Sequence, residues 1–362
     1  NVYNFDFTGL QILIGEKLPN GLAIPSRVRA AATISIGKLC LGRRDITNSF
    51  VAVFAHVLHN STDSAVKCNS LIVLCDLCVK YTATVDSYVN DMSGCFADPS
   101  PAVRHQVLLI MTRLIAEDYV KMRPLLLFRY IYSIVDKNEN VAKFAQSCLF
   151  DVLNSKDPKL LSQHFIDALF YFNDQRDRST DNEDAESHAL FRIKTKQERM
   201  RAFQMIISKM SNPTIFELLQ ASCVRVLQLY LDEAINLDDG ESLLVDTLEV
   251  MQSFEDQMEA VNISEATIDD PKSEQIVEQS RTYMTLIHNY LIKRVLPILN
   301  QMHQFLREKK SPLQSDLRKF FRKLCMKHSS LLEELRRQEP ILAAELEHDI
   351  SMTQTPEIPI PL

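Results

Sequence analysis

Glycine is scarce in this sequence and tryptophan is missing: the 362 residues include 7 glycines and no tryptophan. Glycine supplies the positive φ angles of hairpin turns and of the loops that cradle phosphate groups, so few such turns or loops are available here. This scarcity argues against a large β fold and against most nucleotide-binding folds. Long apolar runs are missing too, because stretches such as Val107–Met111 fall far short of the roughly 20 residues that span a membrane. We therefore expect a helical protein without membrane contact.

The composition is otherwise that of a folded protein. Hydrophobic residues make up 46% of the chain and charged residues 24%, which is the balance of a globular protein rather than of a disordered one. Eight cysteines lie mostly within apolar helical runs. At such a low density we interpret them as reduced, buried thiols of an intracellular protein.

The first half of the chain contains a repeat. Four stretches align: PSRVRAAATISIGKLC from Pro25, TDSAVKCNSLIVLCDLC from Thr62, DPSPAVRHQVLLIMTRL from Asp98, and KNENVAKFAQSCLFDVL from Lys137. Their aligned valines, Val28, Val66, Val103 and Val141, are separated by 38, 37 and 38 residues. Periodic self-similarity at this length is typical of helical repeat proteins.

Each repeat predicts two helices joined by a turn. Polar residues or proline precede the valine, as at many helix starts, and apolar residues then follow at intervals of three and four. A second amphipathic run precedes each turn, at residues 46–58, 85–96 and 124–135. Helical hairpins of roughly 40 residues indicate an all-α fold of the HEAT/armadillo class, an α-solenoid with a helical C-terminal extension.

A cation follows the valine in three of the four repeats, as Arg29, Lys67 and Arg104, whereas the fourth repeat has Ala142 there. A charge that recurs at a fixed place favours a structural role, and we predict ion pairs with the acid of a neighbouring turn, Asp63 or Asp98. The alternative is a row on the concave face of the solenoid that holds phosphate or an acidic peptide.

Beyond the repeats the pattern becomes less regular. Residues 173–188 contain almost no apolar side chain, residues 263–275 form a second polar break, and the chain ends in TQTPEIPIPL. The expected divisions are a flanking segment (1–24), regular HEAT repeats (25–172), an exposed loop (173–188), further helical repeats with an acidic stretch (189–262), a linker (263–275), C-terminal helices (276–350) and an extended tail (351–362).

Charge is divided unevenly along the chain. The segment 232–278 has fifteen acids and one base, which gives it a net charge of −14. The net charge of the whole chain is −7, so the remaining residues together carry +7. Two basic clusters stand out in that remainder. We assign to DNA or to an acidic partner Arg192, Lys194, Lys196, Arg199, Arg201, Lys309, Lys310, Arg318, Lys319, Arg322 and Lys323. Clustered cations suit a phosphate backbone, although simple solvation of helix faces is the alternative. The acidic segment would repel DNA and is expected to face a basic partner or solvent.

No motif in the sequence predicts catalysis. His56, His59, Cys75 and Cys78 are four potential zinc ligands at helical spacing, but the interval between the two cysteines also fits buried packing, which we favour. Nucleophile-elbow, phosphate-loop and dinucleotide motifs are missing. We predict no enzyme activity, no cofactor, no metal and no small-molecule substrate.

Extended strings resemble one family. VRAAATISIGKLCL, AVKCNSLIVLCDLCVKYTATVDSYV, DPSPAVRHQVLLIMTRLIAEDYVKMRPLLLFRYIYSIVD, KTKQERMRAFQMIISKM and VLPILNQMHQFLREKKSPLQSDLRKFF are similar to the D-type non-SMC HEAT-repeat subunit of condensin, in its condensin II form. The resemblance runs from about Pro25 to Ile350. Members of this family are longer, so it implies that the chain corresponds to a C-terminal part.

The resemblance implies a non-catalytic regulatory subunit in the nucleus and on chromosomes. Its expected partners are the kleisin subunit, the SMC ATPase heads, which hold the ATP chemistry, and double-stranded DNA or chromatin during mitotic chromosome condensation. Thr355 precedes Pro356 and is similar to a proline-directed phosphorylation site of the family's tails. Two alternatives remain: a peptide-binding solenoid of another nuclear or transport complex without DNA contact, and a structural scaffold whose tail docks on another subunit.

Overall fold

The computed structural model describes residues 20–175, 185–265, 289–327 and 329–354, together with Ile14, Gly15 and Lys17. These described residues are almost entirely helical, and their only β pairing is an isolated bridge between Lys17 and Ala23. None of the helices within those ranges is both long enough and apolar enough to cross a lipid bilayer. The predicted all-α HEAT-repeat class is confirmed.

The described residues form twenty α-helices. In chain order they are α1 (Ser26–Gly42), α2 (Arg44–Asn60), α3 (Ser64–Lys80), α4 (Thr82–Val85), α5 (Val89–Gly94), α6 (Pro101–Ala116), α7 (Pro124–Ser133), α8 (Glu139–Gln146), α9 (Asn154–Lys156), α10 (Leu160–Gln163), α11 (Phe165–Phe172), α12 (Ala185–Leu190), α13 (Lys196–Ile207), α14 (Asn212–Ser222), α15 (Gln228–Leu231), α16 (Leu237–Glu265), α17 (Leu296–Glu308), α18 (Gln314–Lys327), α19 (Ser329–Gln338) and α20 (Pro340–Gln354).

Short helices of other types extend several of these. The 3-10 segments are Asp86–Tyr88 and Cys95–Ala97, and the π-helical segments are Ser147–Leu153, Cys223–Leu227 and Leu291–Val295. The chain forms two compact units: Asn1–Leu160 with Asp181–Ile193, and Leu161–Thr180 with Lys194–Leu362.

In the first unit, the sequence pattern fixes where the repeat helices begin. The Asp63 carboxylate accepts hydrogen bonds from the backbone N–H groups of Ala65 and Val66 at the start of α3. Asn138 caps α8 in the same way, and Pro101 occupies the first position of α6, where its missing N–H has no consequence. The predicted runs 46–58 and 124–135 correspond to α2 and α7, whereas the run 85–96 is divided among α4, α5 and two 3-10 segments.

The repeat helices form one layer of the first unit. Helix α1 packs on α3, α3 packs on α6, and α6 packs on α8 and its π-helical continuation. Val66, Val103 and Val141 are buried beneath this layer, as the repeat alignment predicts. Val28 departs from the pattern because it is 46% exposed, and its neighbour Arg29 turns inward instead.

Ion pairs link successive repeats at the start of these helices. Arg29 pairs with Asp63 at 3.7 Å, Lys67 with Asp98 at 2.7 Å, and Arg104 with Asp136 through two contacts of 2.6 and 2.8 Å. We call these contacts the N-terminal rungs. They confirm the predicted structural role of the repeating cation, with Asp136 as a third acid.

Each acid of a rung also organises its own turn. Asp98 accepts a hydrogen bond from the backbone N–H of Ser100, and Asp136 accepts one from that of Asn138. Burial by itself would raise the pKa of Asp63, but hydrogen bonds from Ser26 and from backbone N–H groups, together with the charge of Arg29, lower it below its ordinary value. The rungs therefore join a helix start in one repeat to a side chain of the repeat before it.

Lysines link some repeats at the opposite ends of the helices. The Lys80 ammonium donates to the backbone oxygen of Leu41 at the end of α1, and that of Lys156 donates to the oxygens of Ile115 and Ala116 at the end of α6. We call these contacts the C-terminal caps, because they satisfy carbonyl groups that a helix end leaves without partners. The residue that corresponds to Lys80 at the end of α6 is Glu117, which follows the helix and pairs with Arg113 within it.

The second unit is built around aromatic side chains. Phe165 of α11 lies with its ring centroid 5.4 Å from that of Phe203 in α13 and 5.6 Å from that of Phe254 in α16. All three rings are buried. Helix α16 is central to this unit, since it packs against α13, α14 and α18.

The irregular segments differ in part from the sequence predictions. At the ends of the predicted exposed loop 173–188, Asn173 and His188 are buried, and residues 185–190 form helix α12. Residues 176–184 lie outside the described part of the chain, as do most of the predicted linker 263–275 and the start of the helix predicted from Ile276. Helix α20 continues to Gln354, and the remaining tail with Thr355 also lies outside the described residues.

Candidate nucleic-acid interface

The first basic cluster contains side chains in very different surroundings. Arg192 belongs to the first unit, whereas the other four cations belong to the second. Lys194, Lys196 and Arg201 are exposed, and Lys196 forms a 2.7 Å ion pair with Glu249 of α16. Lys194 and Arg201 have no carboxylate partner within the described part of the chain, so they remain available to an external anion.

Arg199 is buried and cannot belong to an exposed interface, which corrects its assignment to DNA. Its guanidinium contacts the Asp246 carboxylate at 2.6 and 3.3 Å, and the Asp246 side chain is fully buried. Asn173 donates a 3.1 Å hydrogen bond to the same carboxylate, and Arg199 also donates to the hydroxyl of Ser242 at 3.2 Å. A buried charge needs such partners, so Arg199 fastens α13 to α16.

The second basic cluster begins in the turn between α17 and α18 and continues along α18. Lys309 and Lys310 follow α17, and Lys310 has a positive φ of 52°. The four remaining predicted residues lie on α18: Arg318, Lys319, Arg322 and Lys323. All of them are exposed or half-buried, so the structure leaves these cations at the surface.

Most cations of the second cluster already have acidic partners. Lys309 pairs with Glu233 at 3.3 Å, Lys319 with Asp316 at 2.7 Å, and Lys323 with Asp256 at 3.7 Å. Arg318 reaches two acids of α20, Asp349 at 2.8 Å and Glu345 at 3.4 Å. Within the described ranges Lys310 and Arg322 have no such partner. The cluster is therefore less positive than its sequence indicates.

The side chains of α18 also line a cavity of about 420 Å³. Arg318, Lys319 and Arg322 surround it together with Gln314, Ser315 and Asp349. Guanidinium and ammonium groups at such a surface can donate hydrogen bonds to phosphate oxygens. This part of α18 is the candidate anion-binding surface that the second cluster retains.

The acidic segment has a role that sequence reasoning missed. Glu233 precedes α16, and Asp246, Glu249 and Asp256 lie within it, yet all four pair with members of the basic clusters. The partners are separated by 47 to 76 residues along the chain, so no local pattern reveals them. Within the described residues, these four acids neutralise cations of their own unit instead of facing only solvent or an external basic partner.

Of the four potential zinc ligands, the two cysteines are packing residues and the two histidines are exposed. Cys75 and Cys78 are buried in α3, and burial raises the pKa of each thiol to about 11. His59 is exposed and its Nε2 lies 2.8 Å from Asp91. Among the described residues, no three histidine, cysteine, aspartate or glutamate side chains are grouped so that they can hold a metal ion. A raised pKa opposes the thiolate that zinc requires.

The repeated hairpins, their rungs and the helical second unit define the class: the chain is a HEAT-repeat protein. A family model described as non-SMC mitotic condensation complex subunit 1 matches residues 65–226, and one described as condensin-2 complex subunit D3-like HEAT repeats matches residues 248–358. Together these matches cover more than half of the 362 residues. These matches support assignment of the chain to the D-type condensin subunits, and the second match is to the condensin-2 subunit D3-like type.

Curated relatives agree with this assignment. Condensin-2 complex subunit D3 of Mus musculus is 29% identical over 346 residues, with 92% of this chain and 23% of the relative covered. Subunit D3-L of Xenopus laevis is 29% identical, with 91% and 23% covered, and subunit CAP-D3 of Arabidopsis thaliana is 25% identical, with 88% and 25% covered. The chain thus spans about a quarter of the length of these relatives.

A structural neighbour adds little. A crystal structure of importin beta aligns with 94% of this chain and 41% of its own, at 13% identity and a TM-score of 0.31. A score this low carries no argument about function.

Proposed function

We propose that this chain is the C-terminal part of a non-catalytic HEAT-repeat regulatory subunit of condensin II, acting in the nucleus on mitotic chromosomes. The observation that supports this most directly is the family match, which extends through both units of the chain. The relatives are named as subunits of the condensin-2 complex. The chain would therefore assemble with the kleisin subunit and the SMC ATPase heads.

The architecture suits a binding role rather than catalysis. A repeat protein offers a long surface, because each hairpin contacts mainly its neighbours and more hairpins extend the surface. Burial raises the pKa of the Cys95, Cys223 and Cys325 thiols to about 12, which disfavours the thiolate that nucleophilic catalysis requires. ATP hydrolysis belongs in this proposal to the SMC subunits.

Contact with double-stranded DNA is the finer part of the proposal. Lys194, Arg201, Lys310 and Arg322 are accessible cations of the second unit without carboxylate partners among the described residues. They suit phosphate oxygens and carry no information about base sequence, so we expect binding without sequence preference.

The test is binding of the chain to a random duplex of about 40 base pairs across a salt series, with Lys194, Arg201, Lys310 and Arg322 all changed to glutamine. Each lost phosphate contact reduces the slope of log affinity against log salt by about 1, so we expect a slope shallower by up to about 4. A matched control changes four exposed cations of the first unit to glutamine: Arg27, Lys38, Lys121 and Lys137.

Equal losses in both variants would mean that only net charge matters and would reject these residues as the DNA interface. No binding at low salt would reject DNA contact altogether. The remaining role would then be tested by copurification with the kleisin and the SMC heads, which a peptide-binding solenoid of another complex would fail.

A further inference from the structure

The acidic helix α16 packs against both helices that carry the basic clusters, α13 and α18. Three exposed or half-exposed ion pairs connect the acidic segment with the basic clusters: Lys196 with Glu249, Lys323 with Asp256, and Lys309, which follows α17, with Glu233, which precedes α16. The acids in these pairs come from one continuous segment of the chain, residues 233–256, while the cations come from two distant segments. One acidic segment therefore neutralises part of each basic cluster.

These three contacts differ from the buried Arg199–Asp246 pair. In each exposed pair both side chains are at least 36% exposed, whereas Asp246 is fully buried. Exposed pairs gain little over hydration, so a competing anion can replace the carboxylate without unfolding the helices. The buried pair holds α13 against α16, and the exposed pairs are free to exchange.

We propose that Glu233, Glu249 and Asp256 act as an intramolecular competitor that masks Lys309, Lys196 and Lys323 from DNA phosphates. The inference rests on the proposed DNA contact and adds its regulation. Each carboxylate occupies the position at its lysine that a phosphate oxygen would take, and its negative charge also repels a nearby duplex within a Debye length of roughly 10 Å. Binding DNA at these lysines requires that each one exchange a carboxylate for a phosphate.

The experiment removes the three acids with little change in shape, in the full chain, as E233Q, E249Q and D256N together. The duplex-binding measurement is repeated from about 50 to 300 mM salt. We expect roughly tenfold tighter binding at the lowest salt, because three cations lose their internal partners. The gain in affinity should shrink as the salt concentration rises, because salt screens the attraction of the lysines to the carboxylates and to the phosphates alike.

A matched control makes the same change in net charge elsewhere, as D76N, D86N and E117Q. These acids are exposed in the first unit, and two of them pair with arginines outside the basic clusters, Asp86 with Arg123 and Glu117 with Arg113. We expect less than a twofold change in this variant. Far-UV circular dichroism and urea midpoints verify that both variants remain folded, and E249Q alone provides the test if the triple variant does not.

The outcomes separate the inference from the proposed function. Tighter binding by the first variant alone supports masking, even if the unmodified chain binds too weakly to detect. If all three proteins bind the duplex with equal affinity, masking is overturned but DNA contact remains. The same conclusion follows if both variants gain affinity equally over the unmodified chain. Failure of all three proteins to bind overturns the DNA contact itself, and the masking with it.

Discussion

At the scale of single residues, the repeating cation illustrates how one side chain serves two repeats. The Arg104 guanidinium donates two hydrogen bonds to the Asp136 carboxylate, and it also donates to the backbone oxygens of Asp98 and Pro99. Its side chain is only 13% exposed and that of Asp136 only 5%. A guanidinium is suited to this task because its planar group donates in several fixed directions.

We predict that Arg104→Ala lowers the free energy of unfolding by about 2–4 kcal/mol, because Asp136 would remain buried without its charged partner. Urea denaturation measures the change. The control is Lys143→Ala, which removes the exposed pair with Glu139 and should cost less than about 1 kcal/mol. Equal costs in the two variants would show that the rung contributes no more than a surface pair.

At the scale of helices, close packing between repeats depends on a small residue in α1. A Cβ atom built on Gly37 would lie 2.3 Å from a methyl carbon of Val73 in α3, which no real contact tolerates. Glycine is needed here because the two helices approach each other closely, and its negative φ gives no other reason for it.

We predict that Gly37→Ala destabilises the protein by about 1–3 kcal/mol, since overpacking outweighs the better helix propensity of alanine. Gly42 at the end of the same helix provides the comparison, because nothing lies within 4 Å of its added Cβ. The measurement is thermal unfolding of Gly37→Ala and of Gly42→Ala. An unchanged melting temperature for Gly37→Ala would mean that α1 and α3 can separate without loss of stability.

Helices were the part of the structure that the sequence predicted well. The spacing of Val66, Val103 and Val141 located the repeat helices because hydrophobic periodicity and helix starts are local signals. The π-helical segment Ser147–Leu153 was not predicted, since its extra residue per turn depends on packing. Arg199 was misassigned for a related reason: its burial depends on Asp246, which is 47 residues away.

At the scale of the whole molecule, the eight thiols are distributed over both units and none forms a disulfide. Seven are buried, whereas Cys68 is half-buried. Burial raises the pKa of Cys95, Cys223 and Cys325 to about 12, so that at pH 8 about one thiol in ten thousand is ionised.

We therefore predict that iodoacetamide at pH 8 labels Cys68 first in the native chain, and that all eight cysteines react in urea. Peptide mass spectrometry identifies the labelled positions. Rapid labelling of native Cys75 or Cys78 would contradict the buried placement and would reopen the zinc interpretation for this pair.

The N-terminal rungs and C-terminal caps together indicate which step between repeats of the first unit we expect to be weakest under an applied force. The steps from α1 to α3 and from α6 to α8 are fastened at both ends of the helices, by a rung at one end and a lysine at the other. The step from α3 to α6 has its Lys67–Asp98 rung but carries Glu117 where a capping lysine would stand. We therefore expect this step to open more readily under an applied force than the other two, because no capping lysine joins the ends of α3 and α6.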